Sequence, residues 1–194
     1  MKKALILIAC AATGFASAQT IVNGDFSADH YSTGGWNEIS SLTGWSIIGN
    51  DMAGIGKGYL GAPNQEIDLS GGSDHGGTGI SQMLNTVSGQ TYNLSFDVYT
   101  GGGYGYAGGV DVSVGGTQLG TNLQGLFGSD ASLDRKNYSY SFTATSDHTN
   151  LTLMDNNGFV SHVGNVKCQA VPEPASFLAL GAPALLMFRR RNKK

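Results

Sequence analysis

Cysteine is nearly absent from this chain: Cys10 and Cys168 are the only two in 194 residues. Cys10 lies in a segment expected to be removed, which leaves Cys168 alone in the body and excludes an intrachain disulfide there. Cys168 alternates with Val166 and Ala170 in a strand-like run, so a buried, inert thiol is expected. Proline is scarce, four residues, and three of them (Pro172, Pro174 and Pro183) fall near the C-terminus. Basic residues are the most telling shortage. Of 11 Lys+Arg, seven sit at the two ends, and the body keeps only Lys57, Arg135, Lys136 and Lys167. All 14 Asp+Glu lie between Gln19 and Ser176, a region whose formal charge is therefore −10. Such a surface repels polyphosphate, which argues against nucleic acid as a partner. No stretch of the body carries an apolar stripe of helical period, which argues against a helical fold.

The two ends read as targeting segments. Met1-Lys2-Lys3 is a basic start, Ala4 to Ala12 a short apolar run, and Ala16-Ser17-Ala18 a small-residue cleavage site. This pattern predicts a secretory signal peptide over residues 1–18, with maturation before Gln19. A second reading makes Cys10 a lipidated residue within Leu7-Ile8-Ala9-Cys10. The short apolar run before it and the duplication of an anchor argue against that reading.

The C-terminal segment, residues 171–194, has three unlike parts. Pro172-Glu173-Pro174 comes first, the uncharged run Phe177 to Phe188 follows, and Arg189, Arg190 and Arg191 close it with two further lysines. Proline fixes φ and removes a donor, so the first part is expected to run extended outside any sheet. The apolar part is shorter than the about 20 residues of a full membrane span, and snorkelling arginine stems would have to make up the difference. Pro183 weakens that helix. The basic end is expected to stay cytoplasmic. In order and spacing the three parts resemble the PEP-CTERM sorting signal of Gram-negative bacteria. The resemblance implies an exosortase-like membrane peptidase as partner, export through the inner membrane, and a destination at the cell surface or beyond it.

Between the ends lies a body, residues 19–170, of a size suited to one domain with one core. Most of the chain's 30 glycines fall here and punctuate short β-branched and aromatic runs. Thr91 to Thr100 is the clearest strand, with Tyr92, Leu94, Phe96 and Val98 on one face. Val110, Val112 and Val114 repeat the pattern, as do Tyr138, Tyr140 and Phe142. Further strands are expected around Val22, Ile47, Gly58-Tyr59-Leu60, Ile67, Leu84, Leu153 and Val166, although Ile80 to Val87 does not alternate cleanly. Ser88-Gly89-Gln90 and Gly115-Gly116 read as tight turns, the second a hairpin with glycines at positive φ. The expected fold is all-β, an antiparallel jelly-roll β-sandwich.

Val22-Asn23-Gly24-Asp25-Phe26-Ser27, Gly44-Trp45, Ile80-Ser81-Gln82 and Val87 to Asp97 together resemble the galactose-binding-like jelly roll. They are most similar to choice-of-anchor and DUF642-like extracellular domains. That resemblance implies a structural calcium held by an acidic residue at the end of the first motif and by an Asp in the last strand. The matching positions here are Ser27 and Gly164, and neither supplies a carboxylate. No metal and no cofactor are therefore expected, with Asp25 and Asn165 as the possible substitutes.

Four histidines, His30, His75, His148 and His162, show no zinc-ligand spacing and read as solvated turn residues. No G-x-S-x-G elbow is present. A glycosidase needs two facing carboxylates, which Glu38, Glu66 and several Asp could supply without any reason to choose among them. Tyr104 and Tyr106 lie in the glycine run 101–109, where aromatic faces could stack on sugar rings. Trp36 and Trp45 are further candidates, although the setting of Trp45 also suits a core position. The sequence thus points to an exported, non-catalytic surface or matrix protein associated with exopolysaccharide. A carbohydrate-binding module with a defined glycan site is the alternative, and a secreted glycan-acting enzyme the second.

Overall fold

The computed structural model describes residues 21–29, 37–49, 53–57, 65–70, 77–100, 108–125, 135–156 and 161–172. Eleven strands are found among them, and none of these residues is helical. They are β1 (Asn37–Ile39), β2 (Ser46–Gly49), β3 (Ala53–Lys57), β4 (Gln65–Asp68), β5 (Thr78–Asn85) and β6 (Thr91–Thr100). Then follow β7 (Val110–Val114), β8 (Thr117–Leu123), β9 (Arg135–Thr143), β10 (His148–Asp155) and β11 (Ser161–Ala170). Ala18–Val171 forms one compact unit.

The strands form two antiparallel sheets, β1-β3-β4-β11-β6-β9 and β2-β5-β10-β7-β8. From β4 onward the chain crosses between them repeatedly, so that inner faces are shared and no sheet could bury its apolar side alone. The core is built by period-two alternation. Tyr92, Leu94, Phe96 and Val98 of β6 are buried, as are Leu151 and Leu153 of β10 and Val110, Val112 and Val114 of β7. Burying each such side chain stabilises the fold by about 1.5–3 kcal/mol. Phe96 lies 6.1 Å from the Tyr138 ring and 6.3 Å from that of Tyr140, and Tyr92 stacks on Phe142 at 5.5 Å. The edge strand β9 is thereby sealed by aromatic contacts.

Two expected turns are present. Gly115 and Gly116 have φ of 57° and 79° between paired Val114 and Thr117, the two-residue hairpin that those glycines permit. Gly89 has φ 85°, and Gln90 N–H closes its turn on the Val87 carbonyl at 3.0 Å. Strand β5 alternates after all. Thr78, Ile80, Gln82 and Leu84 point inward, and Met83 points out at 59% exposure. A polar residue inside and an apolar one outside hid the pattern.

The strand expected around Val22 does not form. Residues 22–25 are turns, with Asn23 at φ 52° and Phe26 at φ 57°. Ile21 and Phe26 are buried while Val22 is 54% exposed. The segment docks on β11, where the Val166 N–H donates to the Gly24 carbonyl at 2.9 Å. A β-carbon at Gly24 would overlap the Val166 carbonyl oxygen, so glycine is required by close approach. Strands β1, β3 and β8 were not expected. β1 has three residues, β3 holds two glycines in AGIGK, and β8 (TQLGTNL) is mostly polar, so none carries a clear apolar period. Gly58-Tyr59-Leu60 lies outside the described residues.

Candidate functional site

Strand register assembles polar side chains on the outer face of the six-stranded sheet. Asp68 of β4 pairs with His162 of β11, His162 with Tyr99 of β6, and Tyr99 with Arg135 of β9. Paired residues share a face, so these four side chains form one row across four strands. In the adjacent row Asp97 stands between Gly164 and Asn137. Glu66 lies on the same face, two residues before Asp68. The absence of a side chain at Gly164 lets the Tyr99 ring lie low, since a β-carbon there would come within 3.3 Å of it.

One end of this face is withdrawn from water. Glu66 is 0% exposed, His162 1%, Tyr99 2% and Asp68 8%. His162 sits between two carboxylates, with Nδ1 3.7 Å from a Glu66 oxygen and Nε2 3.5 Å from an Asp68 oxygen. Desolvation nevertheless dominates and lowers the imidazole pKa below its ordinary value, against the pull of Asp68. Tyr99 is pushed up to about 12 by burial, then by the negative charges of Asp97 and Glu66, while Arg135 opposes the shift. Asp68 Oδ1 also accepts the Ser70 N–H at 2.9 Å and the Ser70 hydroxyl, which fixes the carboxylate.

Asp97 marks the border between the buried and open ends. Its Oδ1 accepts from Asn137 Nδ2 at 2.9 Å, its Oδ2 accepts from Asn165 Nδ2 at 2.7 Å, and Arg135 Nη1 lies 3.9 Å away. Asn165 can reach it because β11 bulges there, with Asn165 at φ 51° and the register shifting between Gly164 and Lys167. Asn137 also donates to the Phe96 carbonyl at 3.3 Å. The Arg135 side chain is 53% exposed, and Asn137, Ser139, Asn93 and Lys167 are exposed beside it. The result is a hydrogen-bonding surface on three adjacent strands. Asn137 is held there by Asp97 and the Phe96 carbonyl, and Asn93 Oδ1 accepts from the Ser141 hydroxyl at 2.6 Å.

The candidates named from sequence are distributed differently. Trp45 is 6% exposed, its ring lies 5.8 Å from Phe26, and its Nε1–H donates to the Asn23 carbonyl at 3.2 Å. It belongs to the core and presents no face to a sugar. Trp36, Tyr104 and Tyr106 lie outside the described residues, as do Ala16, Ala18, Gln19, Glu173, Pro174 and Arg189 to Arg191. Pro172 is described and exposed. It directly follows Val171, which is tied to the sheet by its N–H to the Thr91 carbonyl at 2.8 Å and by Gln90 Nε2 to its carbonyl at 2.6 Å.

The view of the histidines as solvated turn residues fails for His162, which is buried in mid-strand. His148 is exposed, and His30 and His75 lie outside the described residues. Ser27 donates its N–H at 3.2 Å and its hydroxyl at 2.9 Å to Asp25 Oδ1, which lowers the Asp25 pKa. Asn165, the other possible calcium substitute, is engaged by Asp97. Among the described residues no three His, Cys, Asp or Glu side chains are grouped to hold a metal. Cys168 is buried, and desolvation pushes its thiol up to about 11, as expected of an inert thiol. Sequence reasoning missed the Asp97 cluster and the Asp68–His162–Tyr99–Arg135 row. The signal available was the polar half of the alternation in β6 (Asp97, Tyr99), which is visible in the sequence but has meaning only once β9 and β11 are placed beside it.

No protein-family model matches the chain, and no curated protein matches it. Solved structures with a similar strand arrangement include carbohydrate-binding modules. One is a family 35 module from Clostridium thermocellum, with TM-score 0.46 and 15% identity over 64% of this chain and 90% of that one. Another is the family 35 module of Paenibacillus barcinonensis, with TM-score 0.47 and 16% identity over 71% of this chain and all (100%) of that one. A third, titled "CBM4 structure and function", has TM-score 0.47 and 14% identity over 78% of this chain and 99% of that one.

Proposed function

We propose that this chain is the glycan-binding module of an exported surface or matrix protein, and that it acts by binding without turnover. The observation that carries the reading is the Asp97 cluster. A buried carboxylate held by Asn137, Asn165 and Arg135 fixes an open surface of amide, hydroxyl and cationic groups on β6, β9 and β11. Carbohydrate hydroxyls are recognised by such preplaced donors and acceptors, and a rigid sheet holds them at little entropic cost on binding. Glu66 and Asp68 flank His162 in the buried end of the face. There they fix the neighbouring side chains, with Glu66 fully withdrawn from solvent and Asp68 nearly so.

The targeting ends complete the proposal. The signal peptide exports the body, the Arg-rich terminus stops the tail, and a PEP-reading peptidase releases the module towards exopolysaccharide. The test is affinity electrophoresis of the purified full-length protein in gels containing a panel of soluble polysaccharides. Retardation by at least one of them is expected. Unchanged mobility across neutral, basic and acidic polymers would overturn the reading.

A further inference from the structure

Charge on this protein is unevenly placed, and the unevenness falls on the proposed binding face. The region between Gln19 and Ser176 has 14 acidic residues and four basic ones. Two of those four, Arg135 on β9 and Lys167 on β11, point outward on the same side of the six-stranded sheet, since both pair with outward residues of β6 (Tyr99 and Ser95). The outward positions around them, Asn93, Ser95, Asn137 and Ser139, are uncharged. Among the described outward positions of β6, β9 and β11 the one carboxylate is Asp97, which is 6% exposed and already held by three partners. Strands β6, β9 and β11 of an acidic protein thus show exposed cations without exposed anions, and the exposed carboxylate that shares this face, Glu38, stands on the far edge strand β1.

From the strand spacing and rise, the two cations stand roughly 16 Å apart, far enough to meet separate charges along one extended polymer. A neutral glycan would gain hydrogen bonds from these two side chains but no charge attraction. An anionic one would be repelled by the rest of the surface and steered here. We infer that the ligand of this face is an anionic polysaccharide, with carboxylate groups on its sugars, anchored at Arg135 and Lys167. The inference rests on the glycan-binding reading and names the ligand class.

The experiment is affinity electrophoresis of the full-length protein in gels containing alginate, compared with gels containing neutral dextran, at low and high salt. Alginate is expected to retard the protein more than dextran, and added salt to weaken that retardation. Lys167→Glu, an exposed change, is expected to weaken alginate binding by about tenfold. Retardation by dextran equal to that by alginate, with Lys167→Glu unchanged, would overturn the anionic assignment while leaving glycan binding intact. Absence of retardation by alginate would overturn the anionic assignment, and its absence across the whole polysaccharide panel would overturn glycan binding as well. Binding to vesicles of anionic lipid in place of alginate would also contradict the proposal.

Discussion

The side chain of Gln82 holds both backbone polar groups of Val22. Gln82 Oε1 accepts the Val22 N–H at 3.0 Å, and Nε2 donates to the Val22 carbonyl at 2.9 Å and to that of Gly44 at 2.6 Å. Three sequence motifs, around Val22, Gly44-Trp45 and Gln82, are therefore one structural unit. An inward-facing amide supplies the hydrogen bonds that a strand at Val22 would otherwise have obtained from a sheet. Gln82→Leu keeps the volume but leaves these groups without their partner. The expected cost is about 2–4 kcal/mol in chemical denaturation. A loss under about 1 kcal/mol would show that water satisfies the Val22 backbone equally well.

The same N-terminal segment offers an independent test at Gly24. Its carbonyl receives the Val166 N–H freed by the β11 bulge, and no room is left for a β-carbon. Gly24→Ala is expected to destabilise the protein by about 1–3 kcal/mol. Wild-type stability would mean that the segment is not docked on β11.

His162 makes stability depend on pH. Burial lowers its folded pKa below the ordinary value of 6.5, while the unfolded chain titrates near that value. Between the two, the unfolded state binds more protons. The stabilisation is thus complete above about pH 6.5 and is lost as pH falls from there towards the folded pKa. Glu66 and Asp68 of β4 and Tyr99 of β6 are the titratable groups beside the imidazole, and Arg135 lies beyond Tyr99. The melting temperature is expected to fall between pH 7 and pH 5, and less steeply in His162→Gln. Identical slopes in the two proteins would contradict the burial of a neutral imidazole.

Sorting is tested at the tail. Val171 is the last residue tied to the sheet, and Pro172 follows it exposed. Replacing Pro172, Glu173 and Pro174 by alanines is expected to leave export intact but retain the full-length chain in the inner membrane of a host with the sorting enzyme. Fractionation and intact mass read the outcome. Processing and delivery like wild type would reduce the tail to a plain anchor.

Much of the sandwich was legible because β6, β7 and β10 obey period two and the Gly115-Gly116 turn declares itself. The rest was hidden for physical reasons. β3 and β8 owe their place to neighbours and carry no apolar period of their own. At Val22 a side-chain amide from 60 residues away replaced a strand partner. His162 looked like a solvated residue because its carboxylate neighbours come from β4, far off in sequence. Trp45, considered for a sugar platform, went to the core because its indole N–H found the Asn23 carbonyl. Polar residues of a sheet face become a site only when register brings them together, and register is not written in any one strand.

Glycan binding is assigned to the Asp97 side of the sandwich. Its most direct test is the dissociation constant for the most strongly retarding polysaccharide, measured for wild type, Asn137→Ala and Asn150→Ala. Asn137 holds the Asp97 carboxylate on the six-stranded sheet, whereas Asn150 is exposed on the outer face of the five-stranded one. Loss of a hydrogen bond to a charged group predicts about tenfold weaker binding or more for Asn137→Ala, with Asn150→Ala unchanged. Wild-type affinity in Asn137→Ala, or loss of binding in Asn150→Ala alone, would contradict the account.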